Sequence, residues 1–464
     1  MPIWSRNFAR TPLILLAVVE ATILFVSVYL ASYMTIGGTR LADQVLDPLA
    51  PKASALAFVM LMSLIAMGLY QFHQRVYFHE VFARVVVGFF LGSLVLAVAY
   101  YAIPSIGFTP QMAAISVAVA LVSLSFIRYL FIRNVDENIF RRRTVVFGAG
   151  ERSKAITDLK RRADRRGFKI LGHVPAPGDR IRNDATGVCR DVECLTQFAL
   201  ESGADEIVVA MDDRRGNLPV RALIDAKLRG VEVIDLVDFM ERETGKIHLD
   251  LVKPGWLIFT PGFRLTRLRQ YSKRVFDVAA AAAGLLVAWP IMLIVAIAIK
   301  VCDGVNQPVF YRQKRVGFHG QPFEVLKFRS MRTDAEKDGT ARWATENDPR
   351  ITKVGHVLRK YRLDELPQIF NVLAGQMSVV GPRPERPEFV KQLSEDIAYY
   401  DERHMVKPGV TGWAQLKYAY GSSTNDAKQK LQYDLYYVKN HSLLLDLMII
   451  LQTVEVILWG KGSR

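Results

Sequence analysis

Four apolar stretches, about 13–36, 53–70, 81–103 and 112–132, fill the first part of the chain. Each is close to the ~20 residues that a helix needs to cross a bilayer core, so a four-helix transmembrane unit is expected over residues 1–140, its second stretch the shortest. Arg6 and Arg10 precede the first stretch, Arg75 and Arg84 flank the turn after the second, and Arg141-Arg142-Arg143 follow the fourth. The connection 104–110 carries no charge. That asymmetry places both ends of the unit in the cytoplasm. Glu20 and Arg84 lie in or near the spans, where helix packing is their expected task.

Hydrophobic residues make up 51% of the 464 and charged residues 23%, a mixture that joins apolar spans to ordinary globular domains. The formal charge of +15 points to a polyanion. No nucleic-acid motif is present and the basic residues lie beside apolar runs, so an anionic membrane surface or a phosphorylated substrate is expected, and no nucleic acid. Cys189, Cys194 and Cys302 show neither Cys-x-x-Cys spacing nor a nearby His pair. Neither zinc nor a disulfide framework is implied, and a reduced cytosolic face fits. The N-terminal apolar run is too long, and lacks a small-residue cleavage site, to read as a cleaved signal.

Residues 141–245 read as a Rossmann-like parallel-sheet domain. Thr144-Val145-Val146-Phe147 runs into the turn Gly148-Ala149-Gly150, and a helix is expected from there through Arg162. Glu206-Ile207-Val208-Val209-Ala210 and Val231-Glu232-Val233-Ile234 read as further buried strands. The turn resembles a phosphate cradle, but Ser153 holds the third glycine position and no acidic residue ends a second strand. A structural or regulatory module is therefore expected rather than a working dinucleotide site.

Residues 246–270 read as a Gly/Pro-punctuated linker. The catalytic domain would follow over 271–464, opening with a helix at 272–300 that has Lys273 and Arg274 at one end and Lys300 at the other. Pro290 inside this apolar run predicts a sharp kink. Basic residues at both ends then favour a re-entrant helix that bends at Pro290 and returns to the same face. The remainder reads as α+β, its last apolar stretch interrupted by Asp446, Gln452 and Glu455 and expected to pack or lie at the interface.

The acidic pair Asp364-Glu365 stands before Pro367 and the helical spacing of Leu366, Ile369, Phe370 and Leu373. Proline is tolerated only in the first turn, so the helix should start close to the pair, where free amides and the dipole would keep Asp364 ionised. The pair alone is as well explained by Asp364 capping the helix. Its cationic neighbours change the balance. Lys327 and Arg329 alternate with Phe328 in an expected strand, which would turn both cations to one face. Arg383 is stiffened between Pro382 and Pro384, and Lys407 opens a Pro-Gly turn leading to Thr411-Gly412-Trp413.

From about Ser272 to the C-terminus the chain resembles the bacterial sugar transferases, the polyprenyl-phosphate hexose-1-phosphate transferases or monotopic phosphoglycosyl transferases. The resemblance is carried by Lys273-Arg274-Val275-Phe276-Asp277, the proline-broken helix, Lys327-Phe328-Arg329-Ser330-Met331, Leu363-Asp364-Glu365-Leu366-Pro367, Val380-Gly381-Pro382-Arg383-Pro384, the run from Lys407 to Trp413, and Asp434-Leu435-Tyr436-Tyr437-Val438. Ordered blocks over roughly 190 residues are far more specific than one motif. Trp289 before Pro290 departs from members with a small residue there, which bears on the bend rather than the chemistry. The N-terminal arrangement resembles long members that initiate exopolysaccharide, capsule or O-antigen units at the bacterial inner membrane.

The resemblance implies transfer of a sugar-1-phosphate, glucose or galactose first, from a UDP-sugar to undecaprenyl phosphate, with release of UMP. It makes Asp364 the nucleophile and a Mg²⁺ contact, with Glu365 in support. Lys327, Arg329, Arg383 and Lys407 become phosphate binders. A homodimer is also compatible with it. Two rivals remain. A membrane-anchored nucleotide-sugar dehydratase would need an intact dinucleotide fingerprint and a Tyr-x-x-x-Lys pair, and the chain has no Tyr-x-x-x-Lys. A non-enzymatic membrane scaffold would leave the acidic pair dispensable.

Overall fold

The structure, a computed structural model, describes residues 11–36, 49–70, 78–102, 109–134, 141–165, 167–177, 179, 195–214, 218–260, 262–263, 266–333, 348–418 and 423–459. Arg6, Arg10, Arg75, Cys189, Cys194 and most of the connection 104–110 lie outside the described residues. The chain divides between Thr244 and Gly245 into two compact units.

The first unit opens with α1 (Thr11–Ile36), α2 (Leu49–Ala66), α3 (Phe78–Ala102) and α4 (Pro110–Asn134). By length and composition α1, α3 and α4 can cross a membrane, whereas the apolar part of α2, Leu49–Ile65, is shorter. That helix starts earlier than expected because Pro51 is accommodated in its first turn. It stops where Gly68 turns left-handed (φ 71°) and the Leu69 N–H reaches back to the Leu64 carbonyl at 3.3 Å. Leu24, Leu56, Leu64, Val85, Phe89 and Leu124 are buried among the helices, while Phe58, Phe90, Val122 and Phe126 are exposed. Helices apolar on every side are those whose surroundings are themselves apolar. Gly92 lets α3 approach α2, since a Cβ there would stand 2.7 Å from the Met60 sulfur. Glu20 is indeed a packing group. Fully buried on α1, it meets the Arg128 Nε of α4 at 2.7 Å and accepts from the Tyr70 hydroxyl.

The same unit continues with β1 (Arg142–Phe147), α5 (Lys154–Thr157), β2 (Phe168–Val174), α6 (Leu195–Glu201), β3 (Glu206–Val209), α7 (Val220–Leu228), β4 (Glu232–Asp235) and α8 (Leu236–Thr244). The four strands are parallel, in the order β2-β1-β3-β4. Val145, Val146, Phe147, Ile207 and Val208 are fully buried, as continuous apolar strands covered on both faces must be. The sequence reading passed over β2, an edge strand whose apolar run is broken by Lys169, Gly172 and His173. The helix expected to reach Arg162 is the single turn α5. Beyond the buried Leu159, the residues Lys160-Arg161-Arg162 give a longer helix nothing apolar to bury.

In the second unit the segment expected as a linker is packed. Ile247 is fully buried, its N–H donates to the Gln432 carbonyl at 3.0 Å, and α9 (Pro254–Phe259) follows. The 37-residue helix α10 (Arg267–Asp303) begins where the Thr266 side chain accepts from the Arg269 N–H, and it continues through Pro290 as one element. Its Ala281, Ala288, Met292, Val295 and Ile299 are buried; Leu286, Val287, Leu293 and Ile294 are exposed. Next come the antiparallel hairpin β5 (Phe310–Val316) and β6 (Pro322–Phe328), α11 (Lys353–Lys360), a 3₁₀ turn at Leu363–Glu365, α12 (Gln368–Leu373) and β7 (Ser378–Val380). After α13 (Pro387–Asp396) and a 3₁₀ turn at Asp401–Met405, β8 (Gly409–Thr411) pairs parallel with β7. The unit closes with α14 (Trp413–Lys417), α15 (Thr424–Asn440) and α16 (Leu443–Trp459). α16 packs on the unit, as expected, with Asp446 only 1% exposed.

Candidate active site

The acidic pair sits on a strained corner. Arg362 adopts the left-handed conformation (φ 54°, ψ 24°), the next three residues form the 3₁₀ turn, and Pro367 occupies the cap position of α12. The α-helix therefore starts at Gln368, one turn later than the sequence suggests, and no side chain caps it. Capping is thus not the task of Asp364. A non-glycine residue at positive φ costs about 1 kcal/mol or more and persists where its surroundings hold it, often at functional sites.

The two carboxylates are not equivalent. Glu365 is held by Arg383, with contacts of 2.5 Å from Nη2 and 3.4 Å from Nη1, and by Lys327 Nζ at 3.8 Å. Although burial opposes the charge, Arg383 and Lys327 hold the Glu365 carboxyl well below the usual carboxylate range. Asp364 makes no hydrogen bond or ion pair among the described residues. Burial first, and then the neighbouring Glu365 charge, push its carboxyl above the ordinary aspartate value, against the pull of Lys327, Arg359 and Arg383. A helix N-terminus therefore does not hold the Asp364 carboxyl down. The α-helix begins beyond the pair, and desolvation dominates.

Each cation follows from its strand or loop. Lys327 is the penultimate residue of β6, and burial lowers its ammonium below the usual lysine value, with Glu365 opposing. The alternation ends there. Arg329 leaves the strand, is 5% exposed, and binds Gln307 Oε1 at 2.8 Å and Asp303 Oδ2 at 3.0 Å, tying the end of α10 to the hairpin. It makes no contact with the acidic pair. Lys407, depressed chiefly by burial, feels Arg274, Asp277 and Lys273 rather than Asp364 or Glu365. The structure thus gathers Lys327 and Arg383 around the pair and places Arg329 and Lys407 elsewhere.

The glycines explain how Arg383 is presented. The Gly381 N–H donates to the Thr411 carbonyl, and the Gly409 N–H donates to the Pro382 carbonyl, both at 2.9 Å. A Cβ at 381 would stand 2.3 Å from the Lys407 carbonyl oxygen, and one at 409 would stand 2.0 Å from the Gly381 nitrogen. Only bare backbone fits where the two Gly/Pro segments cross. The near end of the loop is secured at Val380, whose carbonyl lies 3.2 Å from Lys273 Nζ and 2.9 Å from the Tyr437 hydroxyl. Asp446 holds Lys273 Nζ at 2.8 Å and Tyr437 at 2.7 Å, and Asp277 accepts from the Ser378 hydroxyl and the Val379 N–H.

Comparison with known proteins gives this geometry a family. Residues 268–460 match the family model described as bacterial sugar transferase. A protein of Escherichia coli (strain K12), named UDP-glucose:undecaprenyl-phosphate glucose-1-phosphate transferase, is 33% identical over 363 residues, covering 77% of this chain and 74% of that protein. The chain belongs to the bacterial sugar transferase family. It is also 39% identical over 247 residues to the UDP-N-acetylgalactosamine-undecaprenyl-phosphate N-acetylgalactosaminephosphotransferase of Aeromonas hydrophila, 53% of this chain and 56% of the other. To the UDP-glucose:undecaprenyl-phosphate glucose-1-phosphate transferase of Xanthomonas campestris pv. campestris it is 43% identical over 194 residues, 41% and 40% of the two chains. The chain thus spans about half the length of the Aeromonas and Xanthomonas relatives.

In this bacterial sugar transferase the sequence reading missed Arg359, which acts on Asp364, and Arg315, which donates to the Pro384 carbonyl at 3.1 Å, and it read Arg274 only as a basic flank of the long helix and part of the family block. Arg274 satisfies the last carbonyls of α12, Val372 at 2.6 Å and Leu373 at 2.7 Å. The block containing Lys273, Arg274 and Asp277 was the available signal, since each of its charges serves the loop or the helix behind the pair. The Gly148-Ala149-Gly150 turn is accounted for within the first unit. Its neighbouring amides are already bound, Ala149 by Asp179 at 2.9 Å, and Glu151 and Arg152 by Asp212 at 3.1 and 2.8 Å.

Proposed function

We propose that the chain transfers a hexose-1-phosphate from a UDP-hexose to undecaprenyl phosphate at the cytoplasmic face of the bacterial inner membrane, as the first membrane step of exopolysaccharide, capsule or O-antigen assembly. The observation that carries the chemistry is the inequality of the pair. Glu365 is locked by two cations, while Asp364 is untethered, half-buried and raised in basicity. A carboxylate that solvent and partners stabilise less is the better nucleophile.

The reaction is a double displacement. An Asp364 carboxylate oxygen attacks the phosphorus bearing the sugar, the bond to the bridging oxygen breaks, and UMP leaves with that oxygen. The resulting phosphosugar-aspartyl group is attacked by an oxygen of the lipid phosphate, which forms the undecaprenyl diphosphosugar and returns Asp364 as carboxylate. Separating the two transfers keeps two polyanionic substrates from having to meet at one phosphorus. Arg383 and Lys327 supply fixed positive charge and, through Glu365, hold the corner still.

Among the described residues there is no cluster of three or more His, Cys, Asp or Glu side chains to cage a metal. Asp364 alone fits Mg²⁺, which characteristically takes one or two carboxylates and completes its shell with substrate phosphates and water. When bound, Mg²⁺ would neutralise charge on the diphosphate and the departing UMP.

Two features support membrane re-entry by α10 rather than a crossing. A straight 37-residue helix would be about 55 Å long. Yet both halves pack on one globular domain, Ala281 with Val325, Val372 and Met377, and Ile299 with Phe328 and Leu358. Basic residues flank it at Lys273, Arg274 and Lys300. The parallel sheet of the first unit is read as a Rossmann-like structural module with its anion-binding amides internally satisfied, and a homodimer remains part of the proposal.

The test is UMP release from a panel of UDP-hexoses by the full chain with undecaprenyl phosphate. UDP-glucose comes first because two of the relatives above are named for it, and UDP-galactose and UDP-N-acetylgalactosamine follow. Asp364→Asn should abolish release, and mass spectrometry of the unmodified chain without lipid acceptor should find the hexose phosphate on Asp364. Full release by Asp364→Asn would remove Asp364 as the nucleophile and sink the two-step route, whereas no release by the wild type with any of these donors would favour a scaffold.

A further inference from the structure

Asp434, which opens the block continuing to Val438, has no task in this mechanism, and neither does Arg403. Both are almost completely buried, at 2% and 6% exposure. Arg403 Nη2 donates to the Asp434 Oδ2 at 2.8 Å and also to the backbone carbonyl of Arg383 at 2.9 Å. Its Nη1 donates to the Tyr400 hydroxyl at 2.8 Å. Nη2 carries two hydrogens, so both of its bonds can form together.

The carbonyl so held belongs to the residue whose guanidinium grips Glu365. Pro382 and Pro384 fix φ on either side of Arg383, leaving the loop few ways to relax except by rotating that peptide group. Pinning the carbonyl therefore fixes the direction in which the Arg383 side chain leaves the backbone. A buried ion pair is a poor way to gain stability over an apolar pair of like volume. An apolar pair, however, would leave the Arg383 carbonyl without this donor. Arg403 is itself fixed at two points, by Asp434 from α15 and by Tyr400 beside its own 3₁₀ turn, so its fork cannot follow a moving loop.

We infer that Arg403, oriented by Asp434 and Tyr400, is a positioning residue for Arg383, holding its backbone so that its guanidinium stays on Glu365. This rests on the reading of Asp364 and Glu365 as the reacting pair. Lysine at 403 keeps the charge beside Asp434 but lacks the planar fork needed to serve both acceptors and Tyr400.

The experiment measures UMP release by the full chain in detergent, with undecaprenyl phosphate and the UDP-hexose selected by the panel above. It compares wild type, Arg383→Ala, Arg403→Lys, Asp434→Asn and the Arg383→Ala/Arg403→Lys double variant, each with a thermal transition recorded. The expected result is a kcat about tenfold or more lower in Arg403→Lys and Asp434→Asn, with the UDP-hexose KM changed far less. The double variant should be no slower than Arg383→Ala, because the two act through one contact. Should Arg403→Lys lose its thermal transition, Tyr400→Phe, which deletes one bond to the same guanidinium, takes its place in the cycle. Wild-type kcat in the folded single variants, or a double variant slowed by the product of the separate losses, overturns the inference while leaving the transfer reaction standing. Wild-type activity in Arg383→Ala would instead overturn the site reading, and the inference with it.

Discussion

The Arg383 guanidinium and the Glu365 carboxylate meet at 2.5 Å, in a chain where Asp364, one residue away, has no such partner among the described residues. Charge-assisted contacts of this kind contribute about 1.5–3 kcal/mol. Arg383→Ala should therefore lower turnover by about 10- to 100-fold. Arg383→Lys, which keeps the charge and loses the fork, should recover only part of it, as read by UMP release.

The raised Asp364 carboxyl has a consequence for pH. Below its folded-state value Asp364 is protonated and cannot attack, so the rate should climb with pH through a limb lying above the ordinary aspartate range. Glu365 is one cause of the rise, so Glu365→Gln should shift that limb to lower pH even while it slows the reaction. A pH–rate profile of the first UMP burst, without lipid acceptor, measures both effects. An unmoved limb would remove Glu365 as a cause.

Much of this was legible beforehand. The apolar stretches, the central strands and the blocks around Asp364, Arg383 and Lys407 could be read because period, length and Gly/Pro placement are local signals. Distance was not legible. Alternation put Lys327 and Arg329 on one face, but the strand ends at Phe328, and Arg329 answers Asp303 at the far end of α10. Charge, the Pro-Gly turn and the family resemblance grouped Lys407 with the pair, whereas its backbone crossing with Gly381 is what the site uses. The linker reading failed because Ile247 finds its partner at Gln432, far along the sequence.

The Gly381 crossing predicts a structural cost. A methyl at 381 meets backbone rather than a movable side chain, so Gly381→Ala should destabilise by about 1–3 kcal/mol and lower Tm by several degrees. Gly255→Ala, with nothing near its added Cβ, is the matched control in the same melt.

Among the apolar helices, Glu20 and Arg128 are each buried against the other. Glu20→Gln leaves a cation without its counter-charge and should destabilise by about 3–5 kcal/mol. Replacing both with leucine should restore much of that loss, as measured by thermal unfolding in detergent.

The turn at Gly148 makes a further prediction. Wild-type protein titrated with NAD or UDP-sugar should show no binding in the first unit, because Asp179 and Asp212 already occupy its amides. Asp212→Ala should lower the stability of that unit by about 1 kcal/mol per lost bond, seen as an earlier calorimetric transition.

The long helix α10 is also masonry. Ala281 packs in the same cluster as Val325, Val372 and Met377, and Ile299 in the same one as Phe328 and Leu358, so the wall that carries Lys327 and the acidic corner leans on it. Clipping the gene after Asp303 to obtain a water-soluble version would pull out part of that wall, and the acidic corner would lose its backing. Whoever wants the chemistry in a tube must bring the greasy rod along.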